Sequence, residues 1–256
     1  ILKIAAAIIF ATLSKTSGVL IAPGVGAVFL YHLIKTKDKK ALLKQYILFA
    51  VICIPLSLSW VLRNLILYDL PFSYVVDATD YATWQNVEGY GFAYRMGFPT
   101  LRIFTAHMID WWDLSNSANI WGQTILTLLY DEGILVFRTP FWETLAPVFT
   151  LLGFALSLIL FCTSTSYCFS KAGDPAIRLL IGIGNGALLF NYVIFCFRYP
   201  LICTMNARYI FSGYALLIPG YALWRMQHPG RKYILFELLF LFFSILSLLL
   251  YLFCPV

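Results

Sequence analysis

Arginines at the ends of apolar runs are the residues most able to do chemistry in this chain. Arg63 follows Trp60-Val-Leu at the end of one run. Arg198, in Phe197-Arg-Tyr-Pro200, closes a later one, and Arg208, in Asn206-Ala-Arg-Tyr209, opens the next. An ionised group at membrane depth is costly, so such residues are functional candidates by default. A guanidinium presents a planar fork of N–H donors that matches a phosphate or diphosphate two bonds at a time. A lipid-linked phosphate would lie where these three side chains are expected to converge, and snorkelling or pairing with loop carboxylates is the structural alternative. Lys15, in Leu13-Ser-Lys-Thr-Ser-Gly18, either joins the same anionic site or is a plain helix-end lysine.

The carboxylates are the other candidates. Asp77 and Asp80 stand three residues apart, and Asp131 and Glu132 are adjacent. Either pair could supply a general base or share a divalent cation, but neither spacing matches a defined metal loop. An acidic, solvated surface is the expectation, and no metal or other cofactor is assigned. His107 has no partner at a diagnostic spacing. Glu237 lies inside the last apolar run, one turn beyond Lys232, where pairing near the interface is expected over a buried relay.

The elements that must position these residues follow from composition. Of 256 residues, 61% are hydrophobic and 12% charged. A soluble domain carries about 25% charged residues and could not bury this much apolar surface in one core. The expected fold is an all-α, polytopic transmembrane bundle. About 20 apolar residues cross a bilayer, and that ruler marks spans near 1–14, 17–34, 46–63, 144–163, 177–197, 209–225 and 233–253. The first two meet at residues 14–18, which form a tight turn or a broken helix, so six or seven spans are expected. The chain opens inside an apolar run without an initiator Met, so a C-terminal piece of a longer membrane protein is expected, its first helix truncated.

Orientation comes from the short loops. Lys35, Lys37, Lys39, Lys40 and Lys44 fall in one, Lys171 and Arg178 in a second, and Arg225, Arg231 and Lys232 in a third. These hold most of the basic residues on one side, which the positive-inside rule makes cytoplasmic. The basic residues form no patch with stacking aromatics, so nucleic acid is not an expected partner. The division is then helices over 1–63, an extracytoplasmic loop over 64–143 and helices over 144–256. The loop holds Asp69, Asp77, Asp80, Glu88, Asp110, Asp113, Asp131, Glu132 and Glu143 against Arg95, Arg102 and Arg138. Loops of that length usually carry function. Within it, Trp121, Ile125, Leu128 and Leu129 recur at helical spacing, with Gln123, Thr124 and Thr127 between them. A short helix on the membrane interface is expected, anchored further by Trp111, Trp112 and Trp142, with a core helix of a small external domain as the alternative. Cysteines in apolar runs read as buried packing, and Gly182 and Gly186 as a close helix contact, with Asn185 and Asn191 as hydrogen bonders between helices.

Three strings extend this. Leu13-Ser-Lys-Thr-Ser-Gly-Val-Leu-Ile-Ala-Pro23 resembles a helix pair in the GT-C membrane glycosyltransferases of the protein O-mannosyltransferase and aminoarabinose transferase type. Trp60-Val-Leu-Arg-Asn-Leu-Ile-Leu-Tyr-Asp-Leu-Pro71 is similar to their exit from a span into an external loop. Ala207-Arg-Tyr-Ile-Phe-Ser-Gly-Tyr-Ala-Leu-Leu-Ile-Pro219 is similar to a late helix start, with Ser212 where a proline is usual. The resemblance implies a glycosyltransferase using a polyprenyl-phosphate sugar donor. It would act outside the cytoplasm of a plasma or inner membrane, on a glycan, lipid or protein acceptor. It also implies that the catalytic carboxylate lies in an earlier loop, outside this chain. Arg63, Arg198, Arg208 and Lys15 would then hold the donor phosphate. The competing readings are a lipid-linked glycan ligase or polymerase of the O-antigen type, with Arg95, Arg102 and His107 acting on a lipid diphosphate, and a membrane transporter or structural subunit.

Overall fold

The structure is a computed structural model that describes residues 1–14, 16–70, 83–99, 118–130 and 140–253. Nine α-helices account for most of them: α1 Leu2–Ser14, α2 Ala22–Lys35, α3 Lys39–Tyr68, α4 Phe92–Met96, α5 Ile120–Tyr130, α6 Pro140–Phe169, α7 Pro175–Arg198, α8 Tyr214–Gln227 and α9 Ile234–Phe253. Short 3-10 turns link several, and among the described residues no β-strand forms beyond one isolated bridge, Asn86 to Leu201.

Among the described residues, five stretches are long and apolar enough to cross a membrane: Gly18–Lys35, Lys39–Tyr68, Thr144–Phe169, Pro175–Arg198 and Arg231–Leu252. This is the signature of an integral membrane protein. Their large side chains point outward, among them Val51, Ile54, Leu241 and Leu248, in numbers that only lipid could cover. Charge brackets the spans at bilayer thickness. Lys44 and Arg63 are about 28 Å apart along α3, and Arg178 and Arg198 about 30 Å along α7, against a hydrocarbon core of about 30 Å.

Two expected spans come out shorter. The α1 helix has 13 residues, and residues 209–225 divide into 3-10 turns followed by the 14-residue α8. Gly18 settles the junction after α1. A Cβ there would lie 2.5 Å from the Ala11 carbonyl oxygen, so the chain bends sharply and does not continue as one rod.

The chain forms two compact units, residues 1–77 with 173–188 and residues 78–172 with 189–256. In the first, α1 packs on α3 through small residues. Ala5 is buried against Cys53, whose Sγ lies 4.0 Å from the Ala5 carbonyl. Asp38 caps α3, its Oδ1 accepting from the Ala41 N–H at 3.0 Å, and Asp69 ends it in the left-handed region at φ 53°. A close helix contact falls at Gly24 and Gly184: a Cβ on Gly24 would meet the Leu180 carbonyl at 2.9 Å and the Gly184 nitrogen at 3.1 Å, whereas Gly186, expected at such a contact, faces open space.

In the second unit α6 is the shaft. Gly220 of α8 sits so close to it that a Cβ would collide with the Ser164 side chain. On α6 the Phe149 ring stacks on Phe243 of α9 at 4.8 Å, and the Tyr130 hydroxyl of α5 donates to the Ala146 carbonyl at 2.8 Å. Burial pushes the Tyr130 phenol up to about 12, so it remains a donor at neutral pH.

Candidate functional site

Residues 199–213 are the unusual part of the second unit. They join α7 to α8 as a string of 3-10 turns, with Leu201, Ile202, Met205 and Ala207 buried. Non-helical backbone with buried polar groups must find partners, and side chains supply them here. Thr127 of α5 accepts from the Ala207 N–H at 2.8 Å. Tyr192 of α7 donates to the Met205 carbonyl at 2.7 Å and lies 2.6 Å from the Thr124 hydroxyl. Gln85 accepts from the Cys203 N–H at 3.2 Å, and the Val87 N–H donates to the Pro200 carbonyl at 2.8 Å.

The α5 helix therefore serves as a core element. None of its residues is exposed, and Gln123 and Thr127, which resemble a polar outer face in sequence, are buried. This corrects the expectation of a helix with one face lying on the membrane interface and follows the alternative, a core helix. The cause is the turn segment, whose backbone needs the hydroxyls of that polar side. Asn119 caps α5, accepting from the Gly122 N–H at 2.8 Å while its amide donates to the carbonyls of Tyr94 and Gly97.

Two of the three predicted arginines are brought to one aromatic cluster. Phe195 of α7 touches both Tyr199, at 5.4 Å between centroids, and Tyr209, at 4.9 Å. Arg198 lies over the Tyr199 ring at 5.6 Å and Arg208 over the Tyr209 ring at 5.1 Å. Both arginines are exposed. Asn206 accepts from the Arg208 backbone N–H at 2.8 Å, which sets the turn carrying it. Each guanidinium lies against an aromatic face, and Arg208 Nη2 also donates to the Tyr209 hydroxyl at 3.4 Å.

Arg63 belongs to the first unit. It is exposed, lies over Trp60 at 5.1 Å and Tyr68 at 5.6 Å, and donates to Asn64 Oδ1 at 3.4 Å. That is the arrangement of an interfacial anchor as well as of an anion ligand. Lys15, Asp77, Asp80, Asp131, Glu132, Arg102 and His107 lie outside the described residues. Among the described residues no cluster of three or more His, Cys, Asp or Glu side chains could hold a metal ion. Glu237 pairs with Arg225 at 2.8 Å, as its place near the interface suggested.

Arg95 is the arginine that sequence placed wrongly. It is 3% exposed, stacks on Phe197 at 4.3 Å, and donates from Nη2 to the Cys196 carbonyl at 2.6 Å. Its guanidinium thus meets the negative end of the α7 dipole. Burial lowers its pKa, with the Cys196 thiol and the Glu88 carboxylate acting the other way. Turned inward, it is not available to a lipid diphosphate.

No family model, curated protein or solved structure matches the chain.

Proposed function

We propose that this chain is part of an integral-membrane glycosyltransferase that takes a sugar from a polyprenyl-phosphate donor on the non-cytoplasmic side. The reading is carried by one observation: Arg198 and Arg208, both exposed, flank a single aromatic cluster where α7 passes into non-helical turns. Departure of a lipid phosphate builds negative charge on its oxygens, and preorganised cations lower that barrier. Arg208 and Arg198 take that role in this reading. A carboxylate that deprotonates the acceptor would come from outside the chain. The string resemblances in residues 13–23, 60–71 and 207–219 point the same way. The ligase alternative loses one of its three candidate residues, because Arg95 is tied to the Cys196 carbonyl.

The test is sugar transfer from a labelled polyprenyl-phosphate donor by the full-length protein. Arg208→Ala is expected to lower transfer about 100-fold, with membrane insertion unchanged. Arg208→Lys should recover only part of it, because lysine offers a point charge in place of a fork. Unchanged transfer by Arg208→Ala would remove Arg208 from the site.

A further inference from the structure

Five lysines fall within ten residues at the turn between α2 and α3: Lys35, Lys37, Lys39, Lys40 and Lys44. All five are exposed. Asp38 is the one acid in that stretch, and it caps α3, its Oδ1 accepting from the Ala41 N–H at 3.0 Å. Among the described residues none of the five lysines pairs with a carboxylate.

The hairpin that carries them is braced. Phe29 of α2 stacks on Tyr46 of α3 with ring centroids 4.2 Å apart, and Phe49 meets the Phe29 ring edge-on at 5.0 Å. The Tyr46 hydroxyl donates to the Phe29 carbonyl at 3.0 Å, and the Thr36 N–H closes the end of α2 on the His32 carbonyl at 2.9 Å. The lysines therefore spring from backbone held in one arrangement.

Helix energetics work against that arrangement. Lys39 and Lys40 occupy the first turn of α3, at the positive end of its dipole, where no acidic residue offsets them. Lys40 and Lys44 are like charges four residues apart on one helix face. An anionic partner from outside the chain relieves both conflicts.

Depth selects the partner. From Lys39 to Lys44 the helix rises about 7.5 Å. The apolar run that crosses the membrane begins at Tyr46. On each side of a bilayer the polar layer is about 5–8 Å thick, half the difference between a total of about 40–45 Å and a core of about 30 Å. The lysines are thus staggered through the layer that lipid phosphates occupy. A soluble polyanion would meet the outermost of them and leave Lys44 unanswered.

We infer that the α2–α3 tip is a binding site for the phosphate groups of anionic phospholipids. A zwitterionic headgroup carries its own cation beside the phosphate and is the weaker ligand. An orientation signal alone needs positive charge during insertion and no bound lipid afterwards. The inference does not draw on the donor reading above.

The test uses the full-length protein in detergent micelles, where orientation plays no part, with phosphatidylglycerol or phosphatidylcholine added. Native mass spectrometry should show phosphatidylglycerol retained in preference to phosphatidylcholine. Each lysine facing an anionic surface contributes about a fivefold gain, so Lys39→Gln/Lys40→Gln should weaken that retention about 25-fold. Lys171→Gln, a single lysine in another short loop, should leave it unchanged. Phosphatidylglycerol should also raise the thermal midpoint of the wild-type protein, and by less in the double variant. In phosphatidylcholine alone the double variant should melt at or above wild type, since the conflict with the dipole is gone. A lower midpoint there would assign the lysines to the fold itself and overturn the inference. Equal retention of the two lipids, retention unchanged by the double substitution, or competition by glycerol phosphate as effective as by the lipid would overturn it as well.

Discussion

At the scale of single residues, the chain divides its arginines between two tasks. Arg198 and Arg208 are exposed over tyrosine faces, whereas Arg95 is sealed beneath Phe197 and bonded to a main-chain carbonyl. Replacing Arg95 by Met keeps most of its apolar stem but removes the donor. The Cys196 carbonyl is then buried with one partner fewer, a loss of about 1–3 kcal/mol. Arg95→Met is therefore expected to lower the thermal midpoint of the purified protein. A midpoint equal to wild type would mean that Arg95 does not secure the end of α7. Nothing in Gly91-Phe-Ala-Tyr-Arg-Met96 marks Arg95 as buried, because its partner is a carbonyl 101 positions away. By contrast, the exposure of Arg198 and Arg208 follows from sequence, since each stands at the edge of an apolar run.

Among the elements, the long spans were readable because their length is dictated by bilayer thickness, a constraint that needs no tertiary knowledge. The stretch 202–213 was not. It is as apolar as a helix, with Ile202, Met205, Ile210 and Phe211, and hydropathy does not distinguish helix from consecutive 3-10 turns. The same blindness misread α5, whose polar side looks solvent-facing until the turns that use it are known. Glycine contacts show the limit from another direction. Spacing singled out Gly182 and Gly186, whereas Gly186 faces open space and a close approach falls at Gly24 and Gly184. Gly24→Leu should therefore destabilise the first unit, overpacking by about 1–3 kcal/mol or more because the obstruction is backbone. Gly186→Ala should be close to neutral. Thermal melts of both variants in one detergent test the pair, and equal midpoints would show that the Gly24 contact is not close.

At the scale of the whole molecule, five helices among the described residues have membrane length, and loop charge predicts their sidedness. It is testable by introducing single cysteines, in a cysteine-free background, at Lys37 and at Asp69. These positions flank α3 at opposite ends. An impermeant maleimide applied to intact cells should label Asp69→Cys at once and Lys37→Cys only after the membrane is opened. The opposite pattern would invert the topology and move Arg63 to the cytoplasmic face.

The shortness of α8 bears on how a substrate could approach. At 14 residues it covers about 21 Å of a hydrocarbon layer about 30 Å thick. In the 3-10 turns that precede it, Thr127, Tyr192 and Gln85 bond the backbone of Ala207, Met205 and Cys203. Arg208 is mounted on those turns. Each methylene drawn out of oil into water costs about 0.8 kcal/mol. Under the proposed donor reading, a phosphate ligand set on these turns would let a long-tailed molecule dock while its tail stays submerged, so that exchange of one such molecule for the next could proceed by sideways diffusion alone.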